Sequence, residues 1–302
     1  MRSVALLALS LAACTPAPEP EPEPPPDEPG PLQRRFSFAV LADPHISSNT
    51  KHAERTRQTV QWVADNVEEF DIELAVVLGD IGWGPGLTLS REILDELPIP
   101  YVPILGDNEV QFGDEANFDV VYGPVLDSLA EHASDLHRGP VEVYLPAHDH
   151  DASLQNLAFT WRGVHFLGLD WNARVFGGLL SELGDLHDVE GGSLGFLGDQ
   201  LASLPEPSET NDVVLLSHIP MHIPAWTQDE MGQVGELTLP RQDRIWANYA
   251  GHYHGDGHEE VEEGGYDAIV TDAVWDDVVT VRLVEVFSNG AAFEYRDSLH
   301  TW

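Results

Sequence analysis

The sequence LAVVLGD at residues 74–80 is a continuous apolar run that ends in Gly79-Asp80. An uninterrupted run of this length is typical of a strand that is buried on both faces of a sheet. Residues 36–41 and 101–105 are two further short apolar runs of the same kind. We therefore predict three buried strands in the first third of the chain.

Apolar residues recur at helical spacing between these strands, which predicts helices near residues 53–70 and 87–97. Alternating strands and helices favour an α/β sheet. The acidic residues Asp43, Asp80 and Asp107 each follow the end of a predicted strand. Open α/β sheets bind ligands at the carboxyl ends of their strands, so this edge is the candidate site.

The second half of the chain has strands with fewer helices between them. Residues 156–161 and 164–169 are predicted to pair as a hairpin, and residues 194–204 are predicted to be helical. Further strands are predicted at residues 213–216, 245–250, 268–270, 278–286 and 291–295. This half is expected to be more antiparallel, and two packed sheets with helices outside would account for both halves.

Five short motifs rich in Asp, His and Asn recur along the chain, and most follow an apolar run. They are Asp43-Pro44-His45, Gly79-Asp80, Gly106-Asp107-Asn108-Glu109, Ser217-His218 and Gly251-His252-Tyr253-His254. Hard divalent cations prefer carboxylate and amide oxygens, and borderline metals also accept imidazole nitrogen. A mixed set of this kind, collected from several strand ends, suits a two-metal hydrolytic site.

The ordered set of motifs resembles the calcineurin-like metallophosphoesterases, whose pattern is D-x-H, G-D, G-N-H-[DE], H-x-P and G-H-x-H. The fourth motif is His218-Ile219-Pro220 here, and the resemblance covers roughly residues 36–295. It implies an α/β fold of the metallo-dependent phosphatase type, a four-layer α/β/β/α sandwich of two mixed sheets. It also implies hydrolysis of a phosphomonoester or phosphodiester by metal-bound hydroxide.

The resemblance also implies a set of metal ligands. The first metal would be bound by Asp43, His45, Asp80 and His254, and the second by Asp107, His218 and His252, with Asp80 as a catalytic bridge. A carboxylate can face two cations at once, which agrees with this role. The cofactors would be two divalent ions, chosen among Mn, Fe and Zn. Glu109, Asp256 and Asp272 are acidic candidates for supporting the ligating imidazoles.

The third motif departs from the family pattern, which has Gly-Asn-His. In the simplest alignment Asp107 replaces the ligand Asn, and Asn108 replaces a His that acts on the phosphoryl group. In the alternative register Asn108 is the metal ligand and Asp107 is not part of the ligand set. Asn108 can donate a hydrogen bond but cannot transfer a proton. This position therefore puts turnover in question more than metal binding.

Trp83 and His222 are candidates for the pocket. The related purple acid phosphatases have a tyrosine that binds Fe(III) three residues after the bridging Asp, and Trp83 stands at that position here. Because indole cannot ligate in this way, the Fe(III)–tyrosinate site is disfavoured. Trp171 and Trp226 are weaker pocket candidates, with a core role as the default.

The N-terminus resembles a bacterial lipoprotein signal. Residues 1–13 contain a short apolar run before Cys14, the single cysteine of the chain. We expect cleavage before Cys14, its lipidation and an extracytoplasmic, lipid-anchored protein at the outer membrane or cell surface. A plain secretory peptide is the alternative. Residues 14–32 are predicted to form a Pro/Glu-rich tether, and residues 33–302 the metallophosphoesterase domain.

The chain has 302 residues and a formal net charge of −38. Only 14 Lys and Arg residues stand against 52 Asp and Glu residues. A protein that binds nucleic acid in bulk needs a basic stripe, so that class of partner is not expected. The expected partners are a phosphoester substrate and, through the lipid, a membrane. The alternative function is a catalytically degenerate, metal-containing binding or scaffold lipoprotein on the same fold.

Overall fold

The computed structural model describes residues 30–47, 50–175, 182–207, 209–222, 224–275 and 278–302. The predicted signal peptide, the predicted lipidation site Cys14 and most of the predicted tether lie outside these residues. None of the described helices combines the length and the apolar composition needed to cross a membrane.

The first sheet has five strands in the order β14-β13-β1-β2-β3. Strands β1, β2 and β3 run parallel, whereas β13 is antiparallel to both β1 and β14. The strands are β1 (Gln33–Ala42), β2 (Ile72–Leu78), β3 (Tyr101–Ile104), β13 (Thr280–Ser288) and β14 (Phe293–Thr301). The helices that follow its parallel strands are α1 (Thr50–Phe70), α2 (Pro85–Leu94), α3 (Asp107–Gln111) and α4 (Glu115–Ser128).

The second sheet has seven strands in the order β11-β12-β10-β9-β8-β7-β4. They are β4 (Ser134–Arg138), β7 (Leu157–Trp161), β8 (Val164–Leu169), β9 (Val213–Ser217), β10 (Ile245–Ala250), β11 (Gly257–Val261) and β12 (Tyr266–Val270). A separate hairpin pairs β5 (Glu142–Leu145) with β6 (His150–Ser153). The helices of this half are α5 (Ser193–Ser203) and α6 (Gln228–Thr238).

Three apolar cores separate four layers. The central core lies between the sheets, where the Phe38 ring meets Phe166 and Tyr249 edge to face at 5.4 and 5.6 Å. A second core packs α1, α2 and α4 against the outer face of the first sheet. A third core packs α5 and α6 against the second sheet. The predicted α/β/β/α sandwich of two mixed sheets is therefore confirmed.

The expectation that the second half is more antiparallel than the first is confirmed for the outer strands of its sheet and is wrong for the central ones. Strands β8, β9, β10 and β12 run parallel to one another, and antiparallel pairs join β7 to β8 and β11 to β12. Long connections that carry α5 and α6 make the parallel crossovers possible. The sequence predicts no helix between residues 213 and 250, where α6 lies.

Candidate metal centre

The seven predicted ligands all follow the carboxyl ends of parallel strands. In the first sheet, Asp43 and His45 follow β1, Asp80 follows β2 and Asp107 opens α3 after β3. In the second sheet, His218 follows β9, and His252 and His254 follow β10. The two sheets bring these strand ends together at one edge of the sandwich.

The structure gathers these side chains into two groups. One contains Asp43, His45, Asp80 and His254, and the other contains Asp107, His218 and His252. Within each group one ligand atom per residue lies within 4.8 Å of all the others. Both groups have the membership predicted from the sequence.

The first group is centred on two buried carboxylates. His45 Nε2 lies 3.1 Å from Asp80 Oδ2 and 3.8 Å from Asp43 Oδ1. His254 Nε2 lies 3.5 Å from Asp43 Oδ1. His45 Nε2 is itself buried and has no hydrogen-bond partner among the described residues. This nitrogen therefore points into a space surrounded by ligand atoms.

The second group is centred on Asp107. Its Oδ1 atom lies 2.8 Å from His218 Nε2 and 3.4 Å from His252 Nδ1. The Gln111 side chain, one helical turn further along α3, donates to Asp107 Oδ2 at 2.5 Å. Asp107 therefore faces the two imidazoles with one oxygen and is held by Gln111 through the other.

Asp80 lies between the two groups. Its Oδ2 atom faces His45 of the first group at 3.1 Å, and its Oδ1 atom faces His218 of the second at 3.4 Å. Asn108 donates to the same carboxylate, through its backbone N–H to Oδ1 at 2.9 Å and through its side-chain amide to Oδ2. The two oxygens of one buried carboxylate thus serve both halves of the centre.

Five of the seven residues have left-handed backbone conformations. Their φ angles are 50° at Asp43, 51° at His45, 48° at Asp80, 73° at His252 and 52° at His254. Side-chain-bearing residues adopt this region at a cost of about 1 kcal/mol each or more. Such strain clusters where tertiary contacts hold side chains in a functional arrangement.

Two glycines let the strand ends approach closely. A Cβ atom on Gly106 would lie 2.0 Å from the Asp80 backbone nitrogen, and one on Gly251 would lie 2.6 Å from Asp43 Oδ2. Neither contact leaves space for a methyl group. The motifs carry glycine at these positions because the ligand-bearing loops pass directly against one another.

Two carboxylates of the centre, Asp43 and Asp107, have lowered pKa values. Burial opposes the charge on Asp43, but the neighbouring imidazoles of His254, His45 and His218 outweigh it and hold the Asp43 pKa below its usual range. Burial likewise opposes the charge on Asp107, and contacts with His218 and His252 lower its pKa. The centre therefore contains fixed negative charge in a buried environment.

Two imidazoles of the centre, His45 and His218, have raised pKa values. Burial disfavours a charged His45, but Asp43 and Asp80 outweigh it and raise its pKa to about 9. Burial also disfavours a charged His218, whose pKa nevertheless lies well above the usual value because of Asp80 and Asp107. The field at this edge of the sandwich stabilises positive charge.

Backbone carbonyls orient two of the imidazoles. His218 Nδ1 lies 3.0 Å from the Leu78 carbonyl, and His252 Nε2 lies 3.0 Å from the Glu182 carbonyl. A ring N–H that donates to a carbonyl leaves the other ring nitrogen as a lone-pair donor, which is the arrangement of metal-binding histidines. In both rings that second nitrogen faces Asp107.

The acidic residues expected to support the imidazoles have other contacts. Glu109 accepts the backbone N–H groups of Gly82 and Gly106 at 2.8 and 2.9 Å. Burial and the charge of Asp80 raise the Glu109 pKa to about 8. Asp256 pairs with Arg282, and Asp272 accepts from the backbone of Ala273 at 3.0 Å. The sequence did not reveal the carbonyl acceptors, because every residue has a carbonyl.

Aromatic rings surround the first group. Trp83 is half-buried and meets the His45 ring edge to face at 5.5 Å, and Trp275 contacts His45 and His254 at 5.6 and 5.3 Å. Trp83 was predicted as a pocket residue. Trp275 was not, because it lies 230 positions from His45 and has no motif beside it. His222 lies beside Tyr253, with a ring distance of 5.9 Å. Trp171 and Trp226 are 1% and 4% exposed, respectively, and belong to the core.

A buried polar network supports the loop that carries Asp107. Arg174 donates to both oxygens of Asp170, at 3.0 and 2.7 Å, and Asn172 donates to Asp170 and to the carbonyl of Leu105. Leu105 is two residues before Asp107. The sequence does not predict this network, because its members form no recognisable motif.

No protein-family model matches the chain, and no curated protein matches its sequence. Similar solved structures include a 5'-nucleotidase from Candida albicans, with 14% identity, a TM-score of 0.49, and coverage of 90% of this chain and 52% of that one. A purple acid phosphatase from yellow lupin, Lupinus luteus, has 12% identity, a TM-score of 0.43, and coverage of 88% and 52%. Sulfate thiohydrolase SoxB from Thermus thermophilus, in complex with glycerol, has 12% identity, a TM-score of 0.46, and coverage of 89% and 57%. The chain spans about half the length of these proteins, and at such identities the likeness assigns neither substrate nor metal to it.

Proposed function

We propose that this chain is a dinuclear metal-dependent phosphoesterase, which hydrolyses a phosphomonoester or a phosphodiester. The observation that carries the proposal is the position of Asp80 between two groups of ligand atoms. One buried carboxylate with an oxygen toward each group is the arrangement that a two-metal site requires. An ordinary buried ion-pair network has no need for two separate sets of converging imidazoles.

The residues fit a pair of divalent cations. The donor set combines carboxylate oxygen and imidazole nitrogen, which suits Mn, Fe(II) or Zn. His45 Nε2 is buried without a hydrogen-bond partner among the described residues, and His218 and His252 each turn toward Asp107 the ring nitrogen that faces no backbone carbonyl. The raised pKa of His45 and the lowered pKa of Asp43 describe a site that favours added positive charge.

Asp43, His45, Asp80 and His254 would hold the first ion, and Asp107, His218 and His252, with Asp80, the second. When bound, two cations supply charge that stabilises phosphoryl oxygens and lowers the pKa of a water molecule. A cleft of about 620 Å³ opens over Asp80, Asn108 and His252, and it gives a substrate access to the centre. Asn108 would donate a hydrogen bond to a phosphoryl oxygen and would transfer no proton.

The test is metal content together with hydrolysis of p-nitrophenyl phosphate and bis-p-nitrophenyl phosphate, after loading with Mn, Zn or Fe. We expect about two metals per chain and turnover of at least one of the two esters. Asp80→Ala should lose turnover and part of its metal, because it removes the shared carboxylate. Asp199→Ala, in an exposed position of α5, is the matched control and should leave both quantities unchanged.

The second candidate function is a metal-containing binding or scaffold protein without turnover. Asn108 favours it, because a site without a proton donor at this position loses on the order of 10²–10⁴ in rate with poor leaving groups. The p-nitrophenyl esters separate the two functions, since their leaving group departs without protonation. Two metals without turnover would favour the binding protein, and absence of metal would reject both.

We also propose that the protein is extracytoplasmic and attached to a bacterial membrane through Cys14. The support is sequence alone: a short apolar segment at 1–13, a single cysteine and the Pro/Glu-rich segment at 14–32. Mass spectrometry of the membrane fraction tests whether Cys14 carries a lipid, which the Cys14→Ser variant should lack. Unmodified Cys14 on a secreted protein would instead support the plain secretory peptide.

A further inference from the structure

A row of three rings leads outward from the metal centre. The His45 imidazole meets Trp83 at 5.5 Å, and Trp83 in turn stacks on Phe112 at 4.9 Å with an interplanar angle of 13°. Trp83 is attached to the loop that carries His45, because its backbone N–H donates to the Ile46 carbonyl at 3.2 Å. The row is therefore tied to the same loops that hold the ligands.

Phe112 forms the outer end of this row. It follows directly after α3, whose residues Asp107, Asn108 and Gln111 all line the cleft, and its side chain is 58% exposed. Exposed apolar side chains close to a binding cleft are typical of ligand-binding surfaces. Phe112 is not among the residues that line the cleft, but its exposed ring directly follows the helix whose residues do.

The second ligand group also has an exposed aromatic neighbour. Tyr253 lines the cleft, is 42% exposed and lies with its ring 5.2 Å from His252. Each half of the centre is thus bordered by an aromatic side chain that is open to solvent.

The described residues that line the cleft include no Arg or Lys. Phosphate groups beyond the one at the metals would need such cationic or fork-shaped donors. The formal charge of −38 adds repulsion against a ligand with several negative groups. The cleft therefore suits one phosphoryl group attached to an uncharged organic group.

We propose that Phe112, supported by Trp83, is a stacking platform for a planar aromatic group of the substrate, so that the substrate is an aromatic ester of a single phosphoryl group. This inference rests on the proposed phosphoesterase function and narrows its substrate class. A ring on Phe112 and a phosphoryl group at the ligands would belong to one small molecule, because Phe112 is two ring contacts away from His45.

The test compares binding of phenylphosphonate, cyclohexylphosphonate and inorganic phosphate to the Mn-loaded full-length protein by calorimetry. The two phosphonates have the same anionic group and rings of similar size, and they differ in whether the ring is flat and aromatic. We expect phenylphosphonate to bind about 3- to 10-fold more tightly than cyclohexylphosphonate, as offset ring stacking provides.

The variants Phe112→Ala and Phe112→Tyr test whether the preference for phenylphosphonate depends on the aromatic ring at position 112. Phe112→Ala should bring the two phosphonates to equal affinity and raise the KM for p-nitrophenyl phosphate by a similar factor, and Phe112→Tyr should retain the preference. Tyr144→Ala removes a similarly exposed aromatic side chain, 52% against 58%, from β5, a strand that carries none of the seven ligands. It should leave all three affinities at the wild-type values.

The outcomes separate this proposal from the function on which it rests. Turnover of phosphoesters with equal affinity for both phosphonates, or a preference that survives in Phe112→Ala, would overturn the platform and leave the phosphoesterase standing. A preference that depends on Phe112, without turnover of any ester, would support the platform and reject the phosphoesterase. Failure to bind any of the three ligands would reject both.

Discussion

Asn108 is the single residue whose identity most affects what the centre can do. Its backbone and side chain both donate to Asp80, so it lies directly beside the shared carboxylate. An amide at this point can stabilise negative charge but cannot protonate a departing alkoxide. The chemistry available to the site is therefore limited by this residue more than by the ligands.

Replacing Asn108 by histidine should change which esters are hydrolysed. Imidazole can transfer a proton, so we expect kcat/KM for an alkyl phosphate to rise relative to that for p-nitrophenyl phosphate, by up to about 10²-fold. Asn108→Ala is the matched control and should not raise this ratio. An unchanged ratio in the histidine variant would mean that position 108 does not face the leaving group.

His187 is a buried residue whose protonation should affect stability. Burial, reinforced by the charge of Arg174, lowers its pKa below the usual value. The unfolded chain therefore takes up the proton first, as the pH falls below about 6.5. The free energy of unfolding should then decrease with falling pH, by up to about 1.4 kcal/mol per pH unit.

Urea unfolding at pH 7, 6 and 5, with a chelator present to remove metal effects, measures this contribution. His187→Gln should show a shallower dependence on pH than the wild type, because the unfolded variant has one proton fewer to bind. Parallel curves for the two proteins would contradict the assignment.

Among the structural elements, the turns after the strands determine the site. Strands β1, β2 and β3 are parallel neighbours, and each is followed by a turn that carries a ligand. The turns are in contact, since a Cβ at Gly106 would overlap the backbone of Asp80. The ligands lie at the carboxyl ends of the strands, and the absence of a side chain at Gly106 allows the neighbouring turns to contact one another.

Gly106→Ala should therefore separate β2 from β3 at the site. We expect a loss of about 3 kcal/mol or more in the free energy of unfolding, together with loss of bound metal. Gly195→Ala in α5 is the comparison, because a Cβ there meets nothing within 4 Å. Because the position is exposed and helical, this variant should have a free energy of unfolding about 0.5–1 kcal/mol higher than the wild type. Equal stabilities of the two variants would contradict this account.

The segment after β8 is joined to other elements by Arg174. This buried side chain binds Asp170 after β8, Glu115 of α4 and the carbonyl of Ser153 in β6. Asp170 is 0% exposed and depends on this guanidinium for much of its charge compensation. The contact holds together elements that are distant in sequence.

Arg174→Met would leave Asp170 buried without its charge partner. We expect the free energy of unfolding to fall by about 3–5 kcal/mol, the usual cost of an uncompensated buried charge. Arg296→Met, which breaks an exposed pair with Glu294, should cost less than about 1 kcal/mol. Chemical denaturation of both variants measures the difference, and similar losses would show that the buried network contributes little.

For the whole molecule, the metal centre joins the two sheets. The ligands after β1, β2 and β3 come from one sheet, and those after β9 and β10 come from the other. Each bound ion would therefore cross-link the halves of the sandwich, and unfolding would release it. Metal binding and global stability should be coupled.

Removal of metal should lower the melting temperature of the whole domain. Each bound metal would add about 2.7 kcal/mol to the free energy of unfolding when the free metal concentration is 100 times the Kd of its site. Thermal unfolding of the Mn-loaded protein with and without a chelator measures the effect, and added Mn should restore the loss. Asp80→Ala should respond less to chelation, and an identical melting temperature in every condition would exclude a linked metal site.

The local sequence was sufficient to predict much of this protein. Apolar runs located β1, β2, β3, β9 and β10, and the polar motifs after them named all seven residues of the two groups, because strand burial and turn chemistry depend on neighbours in the chain. Other elements had weaker local patterns. The edge strand β4 has the sequence SDLHR, and α4 contains Gly123 and Pro124, so neither shows a regular apolar period.

Only the tertiary structure decided how these pieces meet. The parallel order of β8, β9, β10 and β12, the choice of Leu78 as acceptor for His218 and the approach of Trp275 to His45 had no local signal. These contacts join residues far apart in the chain, 140 positions for His218 with Leu78 and 230 for Trp275 with His45. Their geometry depends on how two sheets pack, because the position of each strand end is set by the whole core behind it rather than by the residues on either side of it.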